Sequence, residues 1–297
     1  MRPATSTIVL VLIGGVLALS FGSIFVRLAT ESAHSQSVGF SLVISVLRLS
    51  MAALLLLPAW RNLSKNLEPG AWLYAVLAGV FLAVHFATWI TSLAFTSIAA
   101  SVTLVNTNPV WMALLSLVWL RQAPRPLTLG GMAVALLGGL VISLGSSSNP
   151  GPNPALGNLL AVSGGLAASF YFLLGREAQN RGFGIGLYVA VAYGMAALVL
   201  LPLPLLFHTF YTGYPTQTYI WIALMALIPQ LIGHTSSNWA VRWVEPVLVA
   251  LVILLEPLGA SLLAYFIFGE LPGLQVLVGA AILLVGVGLA VVGSRDR

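Results

Sequence analysis

Ten apolar stretches of about 20 residues follow one another along this chain with barely a charge inside them, and about 20 is the length a helix needs to cross a bilayer. They run roughly over 8–29, 38–58, 70–91, 98–120, 127–145, 156–176, 184–206, 217–238, 245–268 and 273–293. Lipid offers a backbone no hydrogen-bond partner, so a chain built this way must satisfy its amides inside helices. Of 297 residues, 59% are hydrophobic and only 6% charged, against about 25% charged in soluble domains. A soluble globular fold, a disordered chain and a coiled coil are thereby excluded. Twelve Lys and Arg against seven acids form no basic patch, so no nucleic-acid partner is expected. With no cysteine, disulfides and thiolate metal sites are excluded too. The connections are short and turn-rich, as in 122–126 and 146–154, and none is long enough to form a soluble domain. The first apolar run exceeds 20 residues and lacks a small-residue cleavage site, so it reads as the first helix and not as a signal peptide.

If the spans alternate, Arg2, Arg61, Lys65, Arg121, Arg125, Arg176, Arg181, Arg242, Arg295 and Arg297 share one side. Arg27 falls on the other, and Arg48 lies inside the second span. The positive-inside rule then predicts a multi-pass protein with both termini in the cytoplasm.

The two halves of the chain answer each other. At an offset of 149, Gly15 meets Gly164, Ser20-Phe21 meets Ser169-Phe170, Arg27 meets Arg176, Trp72 meets Trp221 and His85 meets His234. At 144, Met51-Ala-Ala53 meets Met195-Ala-Ala197 and Pro58 meets Pro202. At 148, Pro109 meets Pro257, Pro124 meets Pro272, and Gly131, Gly138 and Gly145 meet Gly279, Gly286 and Gly293. Each half holds five spans. An odd unit, duplicated in one chain, enters the membrane in opposite senses, so residues 1–148 and 149–297 are predicted to be five-helix repeats of inverted topology. Secondary transporters are built this way, with the substrate near the midplane where the repeats meet.

The inverted five-plus-five repeat, Glu256-Pro257 in the ninth span and the Gly269-Glu270-Leu-Pro272 turn with Gly279 and Gly286 beyond it resemble the drug/metabolite transporter superfamily, in its ten-helix EamA-type branch. The likeness covers the whole chain. Its nearest form is the YddG-type bacterial exporter of aromatic and other amino acids. The first repeat departs from the turn, reading Arg121-Gln122 where the second reads Gly269-Glu270. The resemblance implies an all-α membrane protein of the bacterial inner membrane: ten transmembrane helices in two inverted repeats around a central cavity lined by spans one, three, four, six, eight and nine. It implies export of amino acids or similar small metabolites by alternating access, as a monomer or homodimer and without a cofactor. A drug or nucleotide-sugar carrier of the same fold is the alternative, although nucleotide sugars call for more basic residues than Arg48. A channel would need a filter loop or rings of like residues. An enzyme would need a nucleophile, metal cluster or paired acids; none of these appears.

Intramembrane charge is costly and marks function by default. Glu256 is a candidate for proton coupling or for meeting a substrate ammonium; the alternative is a structural glutamate that satisfies local polar groups or pairs with Arg48. Arg48 is a candidate for the same pairing. Phe81, His85 and Trp89 follow at i, i+4, i+8 and share a helix face with Thr88 nearby. Gln230, His234, Ser237, Asn238 and Trp239 make a polar face in span eight. Imidazole, amide and indole suit a zwitterion with an apolar side chain, while histidines bonding between helices are the plainer reading. Two histidines are too few ligands for a metal. Ser20, Ser23, Ser169 and Tyr171 supply hydroxyls; Tyr188 and Tyr265 have no distinguishing feature. Asn106 and Asn108 precede Pro109, which frees a carbonyl one turn earlier and makes Pro109, Asn108 and Pro257 candidate hinges. The glycines seven residues apart keep to one face of spans five and ten, predicting a close-packed scaffold, or alternatively a dimer contact. Trp60, Trp119 and Trp243 fit the interfacial belt.

Overall fold

The computed structural model describes residues 3–62, 67–96, 98–119, 121, 123–144, 152–269 and 273–294, and among these there are helices and no strand. Gln122, Gly145 and the Glu270-Leu-Pro272 turn lie outside the described residues. In chain order the helices are α1 (Thr5–Ala33), α2 (Val38–Leu55), α3 (Ala71–Ser92), α4 (Ile98–Val105), α5 (Asn108–Val118), α6 (Pro126–Leu144) and α7 (Pro154–Asn180). The second half holds α8 (Ile185–Leu200), α9 (Leu203–Leu206), α10 (Thr216–Met225), α11 (Thr235–Ala240), α12 (Pro246–Ile253), α13 (Glu256–Phe268) and α14 (Leu274–Ser294). A π-helical stretch, Ala226–His234, joins α10 to α11. Side-chain oxygens of Ser37 and Asn153 cap α2 and α7, accepting from the Phe40 and Leu156 amides at 3.1 and 3.2 Å.

Eight helical segments among the described residues are long and apolar enough to cross a membrane: Thr5–Ala33, Val38–Leu55, Ala71–Ser92, Pro154–Asn180, Ile185–Leu206, Thr216–Ala240, Pro246–Phe268 and Leu274–Gly293. The two remaining expected spans are represented by shorter apolar helices, Asn108–Val118 and Pro126–Ile142, and 98–118 is interrupted at 106–107. This is a multi-pass membrane protein.

The interruption has a simple cause. Proline lacks an amide hydrogen, and its ring clashes with the carbonyl four residues back. Counting back four from Pro109 and Pro257 gives Val105 and Ile253, the last residues of α4 and α12. Each proline then occupies the first turn of the next helix, where a missing N–H costs nothing. The two-residue breaks, 106–107 and 254–255, are separated by the repeat offset of 148. The turns match as well: Thr107 N–H donates to Leu104 O at 3.2 Å, and Leu255 N–H to Val252 O at 3.0 Å.

α6 and α14 pack along their whole lengths, and glycine makes this possible. A carbon added at Gly138 would lie 2.6 Å from Leu283 Cα, and one at Gly279 would lie 2.6 Å from the Ile142 nitrogen. Gly293 faces Thr128, and Gly286 faces Ala135. As the index climbs along α6 it falls along α14, so these helices run antiparallel. The contact map repeats under the offset: Gly131 lies on Ala290, and their equivalents Gly279 and Ile142 lie on each other. The described glycines of the seven-residue series are thus spent inside the chain. Leu137, Leu140, Leu277, Leu284 and Val285 point outward as lipid-facing surface. α3 against α7 mirrors α1 against the 216–240 span in the same way. Gly164 abuts Thr88 and Trp89, while its counterpart Gly15 abuts Gly233 and Ser236.

Candidate functional site

A cavity of about 340 Å³ lies where these elements converge. Its walls come from α1, α2, α3, α6, α7, the π-helical stretch and the two broken spans. α2 contributes through Arg48 and α6 through Ile142, two helices that the resemblance did not assign to the lining.

Both breaks open onto it. Asn106 and Asn108 line it from 98–118, and Glu256 and Pro257 from 246–268. Asn108 and Glu256 are repeat equivalents, so the same position carries an amide on one side and a carboxylate on the other. Each break is pinned by an equivalent serine. Ser169 Oγ donates to Asn108 O at 3.1 Å and Gly165 O at 3.0 Å; Ser20 Oγ donates to Glu256 O at 3.3 Å and Val16 O at 2.9 Å. Both hydroxyls thus reach the carbonyl just before the proline, and neither serine lines the cavity. Ser20→Ala and Ser169→Ala are each expected to cost about 1 kcal/mol, the worth of one net hydrogen bond, read as a lowered midpoint of thermal unfolding in detergent. A midpoint unchanged in both variants would show that the breaks are held by packing alone.

His85 and His234 both line the cavity. His85 Nδ1 lies 2.9 Å from Gly164 O, and a carbonyl only accepts, so Nδ1 carries the hydrogen. In the neutral ring Nε2 is then an acceptor. The same ring stacks on Trp89 with centroids 5.8 Å apart at 15°, so this histidine bonds between helices and lines the cavity at once. Phe86 separates the two histidines in part, its ring set edge-on to His234 at 5.8 Å.

Arg48 is only 3% exposed. Its Nη2 donates to Gln230 Oε1 at 2.7 Å, and its guanidinium carbon lies 4.6 Å from the centre of the Phe86 ring. It makes no ion pair with Glu256, which sits elsewhere on the cavity wall. Arg48 Nε, Trp89 Nε1, Asn108 Oδ1 and His234 Nδ1 have no hydrogen-bond partner among the described residues, although all four side chains line the cavity. Among those residues no group of three His, Cys, Asp or Glu is placed to hold a metal ion.

Several other candidates lie off the cavity wall. Phe81 stacks on Phe170 at 4.7 Å, filling the α3–α7 interface. Thr88 Oγ1 donates to Val84 O within its own helix at 2.8 Å, and Ser237 does the same to Gly233 O at 3.2 Å. Trp239 packs on Trp243. Asn238 is fully buried in a network behind the cavity: its Nδ2 donates to Tyr171 Oη at 2.5 Å, its Oδ1 accepts from Tyr188 Oη at 3.3 Å, and its carbonyl accepts from Gln179 Nε2 at 2.7 Å. Tyr171 links that network to the cavity, which it lines. Pro109 stands behind Asn108, whereas its equivalent Pro257 reaches the wall. Leu82, Ser23 and Ser261 line the cavity as well. The spacing 82, 85, 89 is as helical as 81, 85, 89, and that ambiguity hid Leu82.

Known proteins bear on this geometry. A solved crystal structure superposes over 98% of this chain and 99% of its own with a TM-score of 0.78 at 15% identity, a likeness of fold. Two proteins of Archaeoglobus fulgidus, each named an uncharacterized transporter, are similar in sequence. One is 27% identical across 89% of this chain and 92% of its own length; the other is 24% identical across 78% and 81%. The EamA-like transporter family matches twice, over residues 6–144 and again over 155–292, so its unit recurs on either side of the central loop. With both halves matched, the chain belongs to the EamA-like transporter family.

Proposed function

We propose that this transporter exports amino acids, aromatic and other neutral ones, or similar small metabolites by alternating access between two inverted five-helix repeats, 1–148 and 149–297. The observation that carries the substrate class is the separation of charge in the cavity. One cation, Arg48, and one carboxylate, Glu256, share its wall without pairing, with indole, imidazole and amide groups between apolar side chains. A zwitterion satisfies both charges together, and an apolar side chain suits the rest. At about 340 Å³ the cavity stands near the lower end of the range of about 300–1,000 Å³ for ligand sites, which favours a small metabolite over a drug or nucleotide sugar.

Support for the inverted repeats comes from the antiparallel α6–α14 pair, the equivalent breaks, the equivalent serine bonds and the double family match. α5 packs against α12, which would let those halves of the two broken spans close one end of the cavity. Under a pseudo-two-fold axis, exchanging the conformations of the repeats would open that end and close the other. Basic residues gather on the side of the termini, which supports a bacterial inner-membrane protein with cytoplasmic termini.

The test is uptake of radiolabelled neutral amino acids into proteoliposomes, with and without an imposed pH gradient. Saturable uptake competed by unlabelled amino acid is expected. Accumulation above equilibrium under the gradient would establish proton coupling and make Glu256 the first residue to substitute; equilibration alone would mean facilitated diffusion. Folded protein with no uptake of any amino acid would overturn the substrate class.

A further inference from the structure

The paired features of the cavity, two histidines, two breaks and two serines, follow the repeat. Arg48 and Gln230 do not. The equivalent of Arg48 at the local offset of 144 is Ala192, and that of Gln230 at 149 is Phe81. Arg48, which lines the cavity, and Gln230, buried behind it, therefore form a pair without a repeat equivalent.

The surroundings of that pair are one-sided in another respect. A buried guanidinium is normally matched by a carboxylate, because an uncompensated charge in a low dielectric is expensive. Here the partners are neutral, Gln230 Oε1 at 2.7 Å and the face of Phe86, and Arg48 Nε donates to nothing among the described residues. Trp89 Nε1 and Gln230 Nε2 are likewise buried donors without an acceptor among the described residues. Gln230 itself is held firmly. It lies in the π-helical stretch directly after Pro229, where the turn is wider, and its carbonyl accepts from Tyr193 Oη at 3.3 Å and Thr235 Oγ1 at 3.4 Å. The backbone at Gln230 is thus held, and its side-chain oxygen contacts the guanidinium without neutralising it, while Gln230 Nε2 has no partner among the described residues. A cavity-lining guanidinium whose direct contacts are a neutral amide and a ring face, with no carboxylate at ion-pair distance among the described residues, is a site for a planar anion.

We propose that Arg48 binds the carboxylate of the transported solute, with Gln230 as the residue that positions it. This rests on the small-metabolite reading of the cavity and gives it a polarity: the carboxylate lies toward α2, and any ammonium lies toward the break that carries Glu256.

The experiment measures binding to the purified protein in detergent through tryptophan fluorescence. Its probes are L-phenylalanine, 3-phenylpropanoate, which lacks the ammonium, and 2-phenylethylamine, which lacks the carboxylate. The unsubstituted protein is expected to bind the first two. Arg48→Met weakens both by about tenfold or more, the scale of one hydrogen bond to a charged group. Gln230→Glu supplies an internal carboxylate to the guanidinium, so it is expected to weaken both probes in the folded variant; a merely structural glutamine would leave their binding unchanged there. Gln230→Asn, which keeps the amide, is expected to lose less than Gln230→Glu. Should Arg48→Met fail to fold, Gln230→Glu carries the test. Binding of 3-phenylpropanoate without L-phenylalanine, in an Arg48-dependent way, would keep the anion site and remove the amino-acid reading. Binding of L-phenylalanine and 2-phenylethylamine alike, without 3-phenylpropanoate, would overturn the anion site and leave an amine-recognising carrier. Carboxylate binding unchanged in both variants, or absent from the unsubstituted protein, would overturn the proposal.

Discussion

Gly286→Val is expected to abolish the folded protein, whereas Gly288→Val, two residues along the same helix, is expected to leave it intact. A side-chain carbon at Gly286 would strike the backbone nitrogen of Ala135 and lie 2.6 Å from its Cα and 2.7 Å from Gly131 O. Nothing there can rotate aside, so α6 and α14 must separate along their whole contact. Ordinary overpacking costs about 1–3 kcal/mol, and a clash with backbone in a helix pair this close is expected to exceed that. Gly288 meets nothing within 4 Å, so its valine projects into open space. The readout is the monodisperse fraction and unfolding midpoint in detergent for the two variants side by side. Equal behaviour would mean that the glycine contact between α6 and α14 does not hold the fold together.

Glu256→Gln keeps the shape of the side chain, removes its charge and replaces one acceptor oxygen by an NH2 donor. If the carboxylate meets a substrate ammonium, the apparent affinity for neutral amino acids falls by about tenfold or more, as expected for a lost charge-assisted bond. Binding of 3-phenylpropanoate, which brings no ammonium, should be unchanged or improved. The main-chain bond from Ser20 to Glu256 O survives the change, so the break itself is retained. A variant that unfolds would assign Glu256 to structure, and equal weakening of both ligands would remove the ammonium role. Asn108, the equivalent residue at the other break, provides the contrast: it has no charge to lose, so Asn108→Ala should affect both ligands alike.

Much of the architecture was legible because it rests on local chemistry. Pro109 and Pro257 force breaks wherever they stand in a helix, and the offset between them placed both breaks at matching positions. The seven-residue glycine spacing keeps one face bare of side chains, and a bare face buried in lipid-facing helices calls for a close partner. What the spacing left undecided was which helix supplied that partner; α6 and α14 supply each other. The site was less legible. His85 and Trp89, picked out by their spacing, do line the cavity, but Phe81 and Leu82 differ by a 100° turn, and the spacing could not tell which of them faces it; Leu82 does. Arg48 and Glu256 were natural partners by charge alone, yet Arg48 bonds Gln230, 182 residues away, where no periodicity carries the information. Asn238 and Ser237 lay on a polar face whose direction changes at the π-helical stretch before them, and Asn238 ends in the tyrosine network behind the cavity.

The chain contains no cysteine, so a single one introduced at Ser23, an exposed residue of the cavity wall, reports on that position alone. Its rate of labelling by a membrane-impermeant methanethiosulfonate, applied separately to each face of oriented membrane vesicles with and without a transported amino acid, tests alternating access most directly. The account predicts labelling from both faces, with the amino acid changing the two rates in opposite directions as it shifts the population between the two open forms. Labelling from one face only, unchanged by any amino acid, would contradict it.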